Sequence, residues 1–384
     1  MESELQDVQG FEEVETEQID EQIPLMERPF DPTKINIETK TPSLDTLIRR
    51  IREKTVQLDT ESYFQRNPDL WDATKQSRLI ESMLIQFPLP AFYFDATDDS
   101  NWLVVDGLQR LSSIRNFVVD QKLKLTNLEF LQQFNGKTWD ELTINLQRII
   151  QETQVVIYKI LPGTPIEVKY NIFKRINTGG LILEPQEIRH ALFQGRPAQF
   201  IAELAKNDHF LHVTRRKIDT SRMLDRDFVN RFLCFYLFGT ENYGTKEYGQ
   251  DLDTFMSKAM AAIYNKTDKE LGKITSDFEK AMILSEQIFG KEAFRKIYNE
   301  YGKRLPPINK ALFDAVSVQF ALLTDAKRAV LLRRKKSVRR ALYNELHKQR
   351  EFFISVTSST GDRNRTVYRH EKVKELIKNI LTTP

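Results

Sequence analysis

The chain has 384 residues, of which 40% are hydrophobic and 29% charged, and its formal net charge is +3. This balance predicts a globular chain of two or three structural units. The densest apolar run, residues 232–238, is far shorter than the roughly 20 residues that a membrane-spanning helix needs, and the N-terminus shows no signal pattern. The single cysteine, Cys234, excludes an internal disulfide and indicates a core thiol. The composition therefore predicts a cytoplasmic protein without a membrane partner.

The N-terminal segment is strongly acidic. Residues 1–28 contain ten Asp or Glu residues and one basic residue, Arg28. Charge repulsion and sparse apolar content predict a disordered tail, which we assign to residues 1–40. Two interpretations stay open: a solvated leader without function, or a segment that competes with an anionic ligand for the basic surfaces of the protein.

Helical and strand patterns alternate after the tail. Apolar spacing predicts a helix after Ser43 and a second helix over residues 74–86. Strands are predicted over residues 91–95 and from residue 102, and the polar turn between them indicates a hairpin.

Residues 101–118 are the stretch around which the domain is organised. A short apolar strand passes through the turn Asp106-Gly107 into an amphipathic helix. Free N–H groups at such a helix start favour an anion such as phosphate, and Arg110 can grip two oxygens at once. The alternative is that Gly107 serves only the turn, while Arg110 pairs with Asp106 or another carboxylate.

A second glycine turn follows further along the chain. A polar insertion with a short helix is predicted over residues 120–153, a third strand over 154–160 and a helix over 166–176. The glycines at 179 and 180 allow left-handed backbone or close approach of a ligand, and a new helix starts at Pro185. Polar groups gather on that helix at Gln186, Glu187, Arg189 and His190. The alternative is a helix cap followed by a solvated helix face.

Residues 196–384 are predicted to be almost wholly helical and to end in a basic region. Residues 327–350 contain ten Lys or Arg residues and one acidic residue, Glu345. The pattern indicates either a solvated helix face or a sequence-tolerant contact with a phosphate backbone. Three arginines downstream, Arg363, Arg365 and Arg369, add weight to the second interpretation. The candidate DNA-binding residues are Arg333, Arg334, Lys335, Lys336, Arg339 and Arg340.

Four sequence blocks, in order, carry a resemblance to a known family. They are Gln65-Arg66 with Trp71, Ser77 to Ser82 with Phe87-Pro-Leu-Pro90, Val105-Asp-Gly-Leu-Gln-Arg-Leu111, and Phe173 to Gly180 with Gln186 to Arg189. Over about residues 40–195 the chain resembles the N-terminal domain of GmrSD-type modification-dependent restriction systems. The helical remainder is similar to the extension that usually follows that domain.

The resemblance implies an α+β fold. A domain with a small sheet, related to the ParB N-terminal domain and sulfiredoxin, would span residues 41–195, and an all-helical domain would span residues 196–384. The family also implies binding and hydrolysis of an NTP with Mg²⁺ at an Asp-Gly-Gln-Gln-Arg motif, in defence against foreign DNA. Family members often carry a His-Asn-His nuclease half, which has no evident counterpart among the five histidines, so any DNA cleavage would come from the ParB-like domain itself or from a separate nuclease partner. No structural metal is expected, and the resemblance leaves an oligomer open.

The family motif maps onto this sequence with one departure, Leu108 in place of the first Gln. The catalytic candidates are Asp106, Gln109 and Arg110, and Asp106 would also contact the divalent cation. If the missing amide positions the attacking water, Leu108 weakens hydrolysis; if that side chain only packs, little changes. The nucleotide-binding candidates are Gln65, Arg66, Gly107, Arg110, Asn177, Gly179, Gly180, Glu187 and Arg189.

The favoured function is therefore that of an NTP hydrolase in a DNA-directed, restriction-type phage defence system. Phosphoryl transfer needs mainly positioning and charge stabilisation, which this set of residues could supply. The chain has no P-loop pattern. Two alternatives stay open: a non-catalytic DNA-binding or regulatory module, and a metal-dependent DNA nickase that uses the same pocket.

Overall fold

The computed structural model of the protein divides into two compact units. One comprises residues 29–192, here called the sheet unit, and the other comprises residues 193–384 with residues 1–28, here called the helical unit. The structure describes residues 14–15, 32–58, 71–176, 183–249, 251–296 and 305–382. Five candidate site residues lie outside these ranges, namely Gln65, Arg66, Asn177, Gly179 and Gly180.

A five-stranded mixed sheet forms the centre of the sheet unit. Its strands are β1 (Ile37–Lys40), β2 (Val56–Gln57), β3 (Phe92–Asp95), β4 (Trp102–Asp106) and β5 (Ile157–Ile160), in the order β1-β5-β3-β4-β2. Strands β3 and β4 pair antiparallel, which confirms the predicted hairpin, and β3 pairs parallel with β5. Strand β1 pairs antiparallel with β5, so the sheet begins before the predicted boundary at residue 41.

The described residues of the sheet unit form six α-helices besides short 3-10 and π-helical turns. The α-helices are α1 (Leu44–Arg52), α2 (Ala73–Leu84), α3 (Leu108–Ile114), α4 (Ile144–Glu152), α5 (Ile166–Ile176) and α6 (Pro185–Leu192). Side chains alternate across a strand, so one face of the sheet presents Phe92, Phe94 and Val104 to a core shared with α1, α2 and α3. The other face presents Leu103, Val105 and Ile160 to α5 and α6. The end of β4 therefore lies between two packed layers.

The described residues of the helical unit form isolated β-bridges but no β-strand. Its helices are α7 (Arg196–Ala205), α8 (Asp208–Val213), α9 (Leu224–Phe238), α10 (Leu252–Ile263), α11 (Asp268–Phe289), α12 (Lys310–Ala321), α13 (Asp325–Arg333), α14 (Lys335–Lys348), α15 (Arg350–Ser355) and α16 (Arg363–Thr382). Cys234 is a buried free thiol in α9, as predicted. The α+β class, with a small sheet in the N-terminal part and a helical C-terminal part, is confirmed. None of the helices in the described ranges is both long and apolar enough to cross a membrane.

A buried ionic cluster lies in the core of the helical unit. Asp314 of α12 accepts N–H donors from Arg231 at 2.8 Å and from Arg369 at 3.1 Å, and His370 Nε2 lies 3.2 Å from its other oxygen. Burial alone would raise the pKa of Asp314, but the Arg369 and Arg231 guanidiniums hold that pKa well below its usual range. The pKa of His370 is lowered, chiefly by burial. The cluster joins α9, α12 and α16 through charges that are 0–3% exposed.

Candidate functional site

The turn between β4 and α3 depends on glycine at position 107. Gly107 has φ +102°, a backbone conformation that residues with a Cβ rarely adopt. A Cβ at this position would lie 2.5 Å from Phe92 Cδ1 and 3.3 Å from Arg110 Nη2. The turn is therefore both left-handed and closely packed, and it starts α3 directly at the end of the strand.

Arg110 is a buried side chain with several internal partners. Its guanidinium donates to the carbonyl of Pro90, to the carbonyl of Ala91 at 3.1 Å and to Asp106 Oδ2 at 2.9 Å. It also lies 4.5 Å above the centre of the Phe92 ring. Burial lowers the pKa of Arg110, while Asp106 acts to raise it. The pair with Asp106, one of the two interpretations of this turn, is thus present, and a contact of Arg110 with phosphate stays a prediction.

Asp106 is the more accessible member of that pair. Its side chain is 36% exposed, compared with 10% for Arg110. Oxygen Oδ2 takes the bond from Arg110, and Oδ1 accepts no hydrogen bond from the residues that the structure describes. The arginine therefore fixes the orientation of the carboxylate and leaves one oxygen available to a ligand.

A tyrosine that was not among the sequence candidates, Tyr93, lies beside Asp106, and a second, Tyr158, lies beside Tyr93. Tyr93 is the strand partner of Asp106, and its ring stacks on Tyr158 with centroids 4.8 Å apart. Burial, and then the proximity of Tyr158 and Asp106, raises the pKa of Tyr93, so that it stays a neutral O–H donor. Neither phenol hydroxyl donates to a group in the described part of the chain. The alternation in Phe92-Tyr93-Phe94 was the sequence signal that sets Tyr93 apart.

Gln109 holds the chain at Trp71. Its Oε1 accepts the backbone N–H of Trp71 at 3.1 Å, while Gln76 donates to the Trp71 carbonyl at 2.7 Å. Gln76 in turn accepts a hydrogen bond from Asn116 at 3.1 Å. This chain of amides fixes the backbone of Trp71, which lies five residues after Arg66 in the sequence.

Leu108 and the polar residues of α6 are packed rather than solvated. Leu108 packs against the core under α1 and α2. Glu187 is fully buried and accepts the N–H of Glu184 at 2.7 Å, and Arg189 is 1% exposed and donates to Gln186 at 2.8 Å. The interpretation of α6 as a solvated polar face was therefore wrong. The N–H of Glu184, the residue just before α6, thus donates a capping hydrogen bond to Glu187.

The six candidate DNA-binding residues, which lie in or between α13 and α14, divide into two groups. Arg334 donates to the carbonyl of Ile380 at 2.7 Å, and Arg339 pairs with Glu292. The other four are exposed and form no ion pair within the described ranges, and we call them the basic surface. It consists of Arg333, Lys335, Lys336 and Arg340.

The three downstream arginines do not extend this surface. Arg369 is fully buried against Asp314, Arg363 donates to the carbonyl of Tyr243 at 2.9 Å, and Arg365 donates to the carbonyl of Ser358 at 2.7 Å. The use of Arg369 as support for a phosphate contact was wrong, since its side chain is fully buried. A phosphate contact of Arg363 or Arg365 stays a prediction. Sequence alone gives their charge but not their burial.

The candidate site suits a cation bound together with a ligand. No group of three or more His, Cys, Asp or Glu residues that could hold a metal occurs in the described part of the chain. Mg²⁺ is commonly held by one or two carboxylates together with substrate phosphates, and not by a complete protein cage. A single half-exposed carboxylate such as Asp106 fits that mode of binding.

Comparison with known proteins gives one match. The family model described as GmrSD restriction endonuclease, N-terminal domain, matches residues 44–194. No curated protein and no solved structure matches the chain. The matched range contains the whole β4–α3 turn and ends just after α6.

Proposed function

We propose that this chain binds and hydrolyses a nucleotide as a component of a DNA-directed, restriction-type defence system, because residues 44–194 match the family model of the GmrSD restriction endonuclease N-terminal domain. The observation that carries the proposal is the Asp106 carboxylate at the end of β4. It is oriented by Arg110 and has one oxygen without a protein partner in the described ranges. The inference about nucleotide chemistry rests on this site and on the family match together.

Each residue of the site has a distinct role in this proposal. Asp106 would be the residue that holds Mg²⁺, and Arg110 keeps its carboxylate in place. A bound Mg²⁺ would neutralise phosphate charge and orient the phosphoryl group. Tyr93 is a neutral donor for a phosphate or base atom. Gln109 positions the chain at Trp71 and so the neighbouring segment.

The candidates outside the described ranges complete the proposed site. Trp71, which is bonded to Gln109, lies five residues after Arg66 in the sequence. Ile176, which packs in the same core cluster as Val105, directly precedes Asn177. We propose that Gln65 and Arg66 with the Asn177 to Gly180 turn supply cationic and backbone N–H contacts to the phosphates.

Asp106→Asn should abolish Mg²⁺-dependent nucleotide turnover and weaken Mg²⁺-dependent binding at least tenfold, because asparagine keeps the shape and removes the charge. Binding of each NTP with Mg²⁺ can be measured by calorimetry, and turnover by phosphate release with and without DNA. Asp98→Asn is the matched control, since Asp98 is an exposed carboxylate in the turn of the same hairpin. Equal behaviour of the two variants would refute the site. Retention of DNA without turnover would favour a binding module, and metal-dependent nicking lost in Asp106→Asn would favour the nickase.

We also propose that the basic surface contacts the phosphate backbone of double-stranded DNA. On binding DNA, each of these four exposed cations, which form no ion pair within the described ranges, would displace counterions condensed on the DNA. Helix α14 buries Val338, Leu342 and Leu346, so its charged side faces solvent. Because no aromatic residue is interleaved with these cations over residues 333–340, the contact is expected to tolerate any DNA sequence.

Lys335→Gln with Lys336→Gln should weaken DNA binding and lower the slope of log K against log salt by about 2, close to one unit for each lost phosphate contact. Lys372→Gln with Lys374→Gln removes the same charge from α16, where the two lysines pair with Glu375 and Glu371. That control pair should change the slope by well under one unit. Equal slopes for the two double variants, measured by fluorescence anisotropy over 50–300 mM salt, would show that α14 makes no DNA contact.

A further inference from the structure

The helical unit binds two residues of the acidic N-terminal segment, Val14 and Glu15. The N–H of Glu15 donates to the carbonyl of Ile308 at 2.8 Å, and Val14 forms a parallel bridge with the same residue. Ile308 also bridges Arg295 on its other side. Residues 14–15 therefore add to this short pairing as an extra extended segment.

The side chain of Glu15 is bound by groups that suit a carboxylate. Lys296 Nζ pairs with Oε1, and Asn309 Nδ2 donates to Oε2 at 2.8 Å. The lysine is 6% exposed and the glutamate 17% exposed, so the pair is largely removed from solvent. Asn309 also donates to the carbonyl of Val356, which orients its amide. A buried, oriented pair of donors is a specific anchor, unlike a pair of exposed ions.

The residues that bind Glu15, Lys296 and Asn309, are joined to the basic surface through short stretches of the chain. Glu292, four residues before Lys296, accepts from Arg339 of α14. Val356, whose carbonyl accepts from Asn309, comes directly after α15, and α15 is the helix that follows α14. The step of four residues from Glu292 to Lys296 spans at most about 14 Å. Glu15 is thus held near the helix that carries Lys335, Lys336 and Arg340.

The rest of the segment has the charge to compete for that helix. Besides Glu15, residues 1–28 contain nine acidic side chains and one basic side chain. Thirteen residues precede position 14, and thirteen follow position 15 up to residue 28. Either stretch, at roughly 3.3–3.6 Å per residue, is long enough to reach past α14. Such a density of negative charge resembles that of a nucleic-acid backbone.

We infer that the N-terminal segment is an intramolecular competitor of DNA for the basic surface, held in place by Glu15. The inference rests on the DNA binding proposed above. Anchoring by Glu15 fixes one point of the acidic segment and so raises its effective concentration at α14. DNA must displace this charge to bind, and the competition weakens as salt screens it.

The test uses two full-length variants. In the first, nine acids become amides and Glu15 is kept; they are Glu2, Glu4, Asp7, Glu12, Glu13, Glu17, Asp20, Glu21 and Glu27. In the second, Glu15→Ala removes the anchor. Affinity for a fluorescein-labelled 20-base-pair duplex should rise about tenfold at 50 mM salt in the first and several-fold in the second, and both gains should fall to about twofold or less at 300 mM.

Hydrogen exchange tests the anchor independently of DNA. The Glu15 amide, bonded to Ile308, should be protected in the wild type and in the nine-amide variant, and should lose protection in Glu15→Ala. Lys296→Met should release it as well, whereas Lys291→Met, which removes an exposed lysine five residues away, should not. An unprotected Glu15 amide in the wild type overturns the anchor.

The DNA titrations separate the two proposals. Tight duplex binding that is the same in the wild type and both variants at low salt overturns the competition and leaves the proposed DNA contact intact. Absence of duplex binding from all three proteins, with the Glu15 amide protected, refutes the DNA contact and the competition with it.

Discussion

Replacing Asp314 with asparagine should lower the free energy of unfolding of the helical unit by about 3–5 kcal/mol, which is the usual cost of removing one partner from a buried ionic group. Asp314 is fully buried and accepts from Arg231 and Arg369, which are 3% and 0% exposed. An asparagine there would keep the volume but remove the carboxylate charge that the two buried guanidiniums share. Both oxygens of Asp314 accept from arginine N–H groups, so in either orientation the amide N–H₂ would face a guanidinium, which only donates.

The tryptophans allow this loss to be assigned to one unit. Trp71, Trp102 and Trp139 are all in the sheet unit, so their fluorescence follows that unit in urea. Far-UV circular dichroism also follows the helices of the helical unit. The dichroism transition of Asp314→Asn should move to lower urea, while the fluorescence transition stays in place.

Asp325→Asn is the control for Asp314→Asn. Asp325 also pairs with an arginine, Arg328, at 2.6 Å, but its side chain is 76% exposed. An exposed pair of this kind contributes little to stability, because solvent screens it. If the two variants lost the same stability, the buried cluster would not hold α9, α12 and α16 together.

Local sequence patterns were sufficient to predict most of the helices and strands near the Asp106-Gly107 turn. Apolar spacing gave α2, α5 and α6 to within two residues at most ends, and Asp106-Gly107 marked the end of a strand. The strand β2 was missed because two residues have no periodicity to detect, and β1 was missed because Ile-Glu-Thr-Lys is mostly polar and exposed, unlike the apolar β3 and β5. They form because β4 and β5 offer free edges to pair with.

Burial of charge could not be predicted from the sequence. Arg369 and Arg333 are both basic residues on amphipathic helices, yet one is fully buried and the other is exposed. What separates them is Asp314, which is 55 residues away from Arg369 in the chain. The same holds for Tyr93, whose position beside Asp106 follows from the register of β3 on β4. Long-range pairing thus decides which polar groups brace the fold and which remain accessible to a ligand.

Gly107→Ala should destabilise the sheet unit by about 3 kcal/mol and abolish nucleotide binding. The backbone at φ +102° costs an alanine roughly 1–2 kcal/mol, and forcing a methyl into a packed core adds about 1–3 kcal/mol. The new Cβ would lie 2.5 Å from the ring of Phe92, which is fully buried and has Arg110 stacked on it. Relief of the clash would therefore move Arg110, and with it the carboxylate of Asp106.

Gly163→Ala separates the clash from the backbone strain. Gly163 lies in the same unit with φ +88°, and a Cβ there meets no atom within 4 Å. This variant should lose only the 1–2 kcal/mol of strain and should bind nucleotide normally. Tryptophan fluorescence in urea gives the stability of both variants, since Trp102 lies at the start of β4. If Gly107→Ala were no less stable than Gly163→Ala, the close contact with Phe92 would not constrain the turn. If it were less stable but still bound nucleotide tightly, the position of Asp106 would not matter for binding.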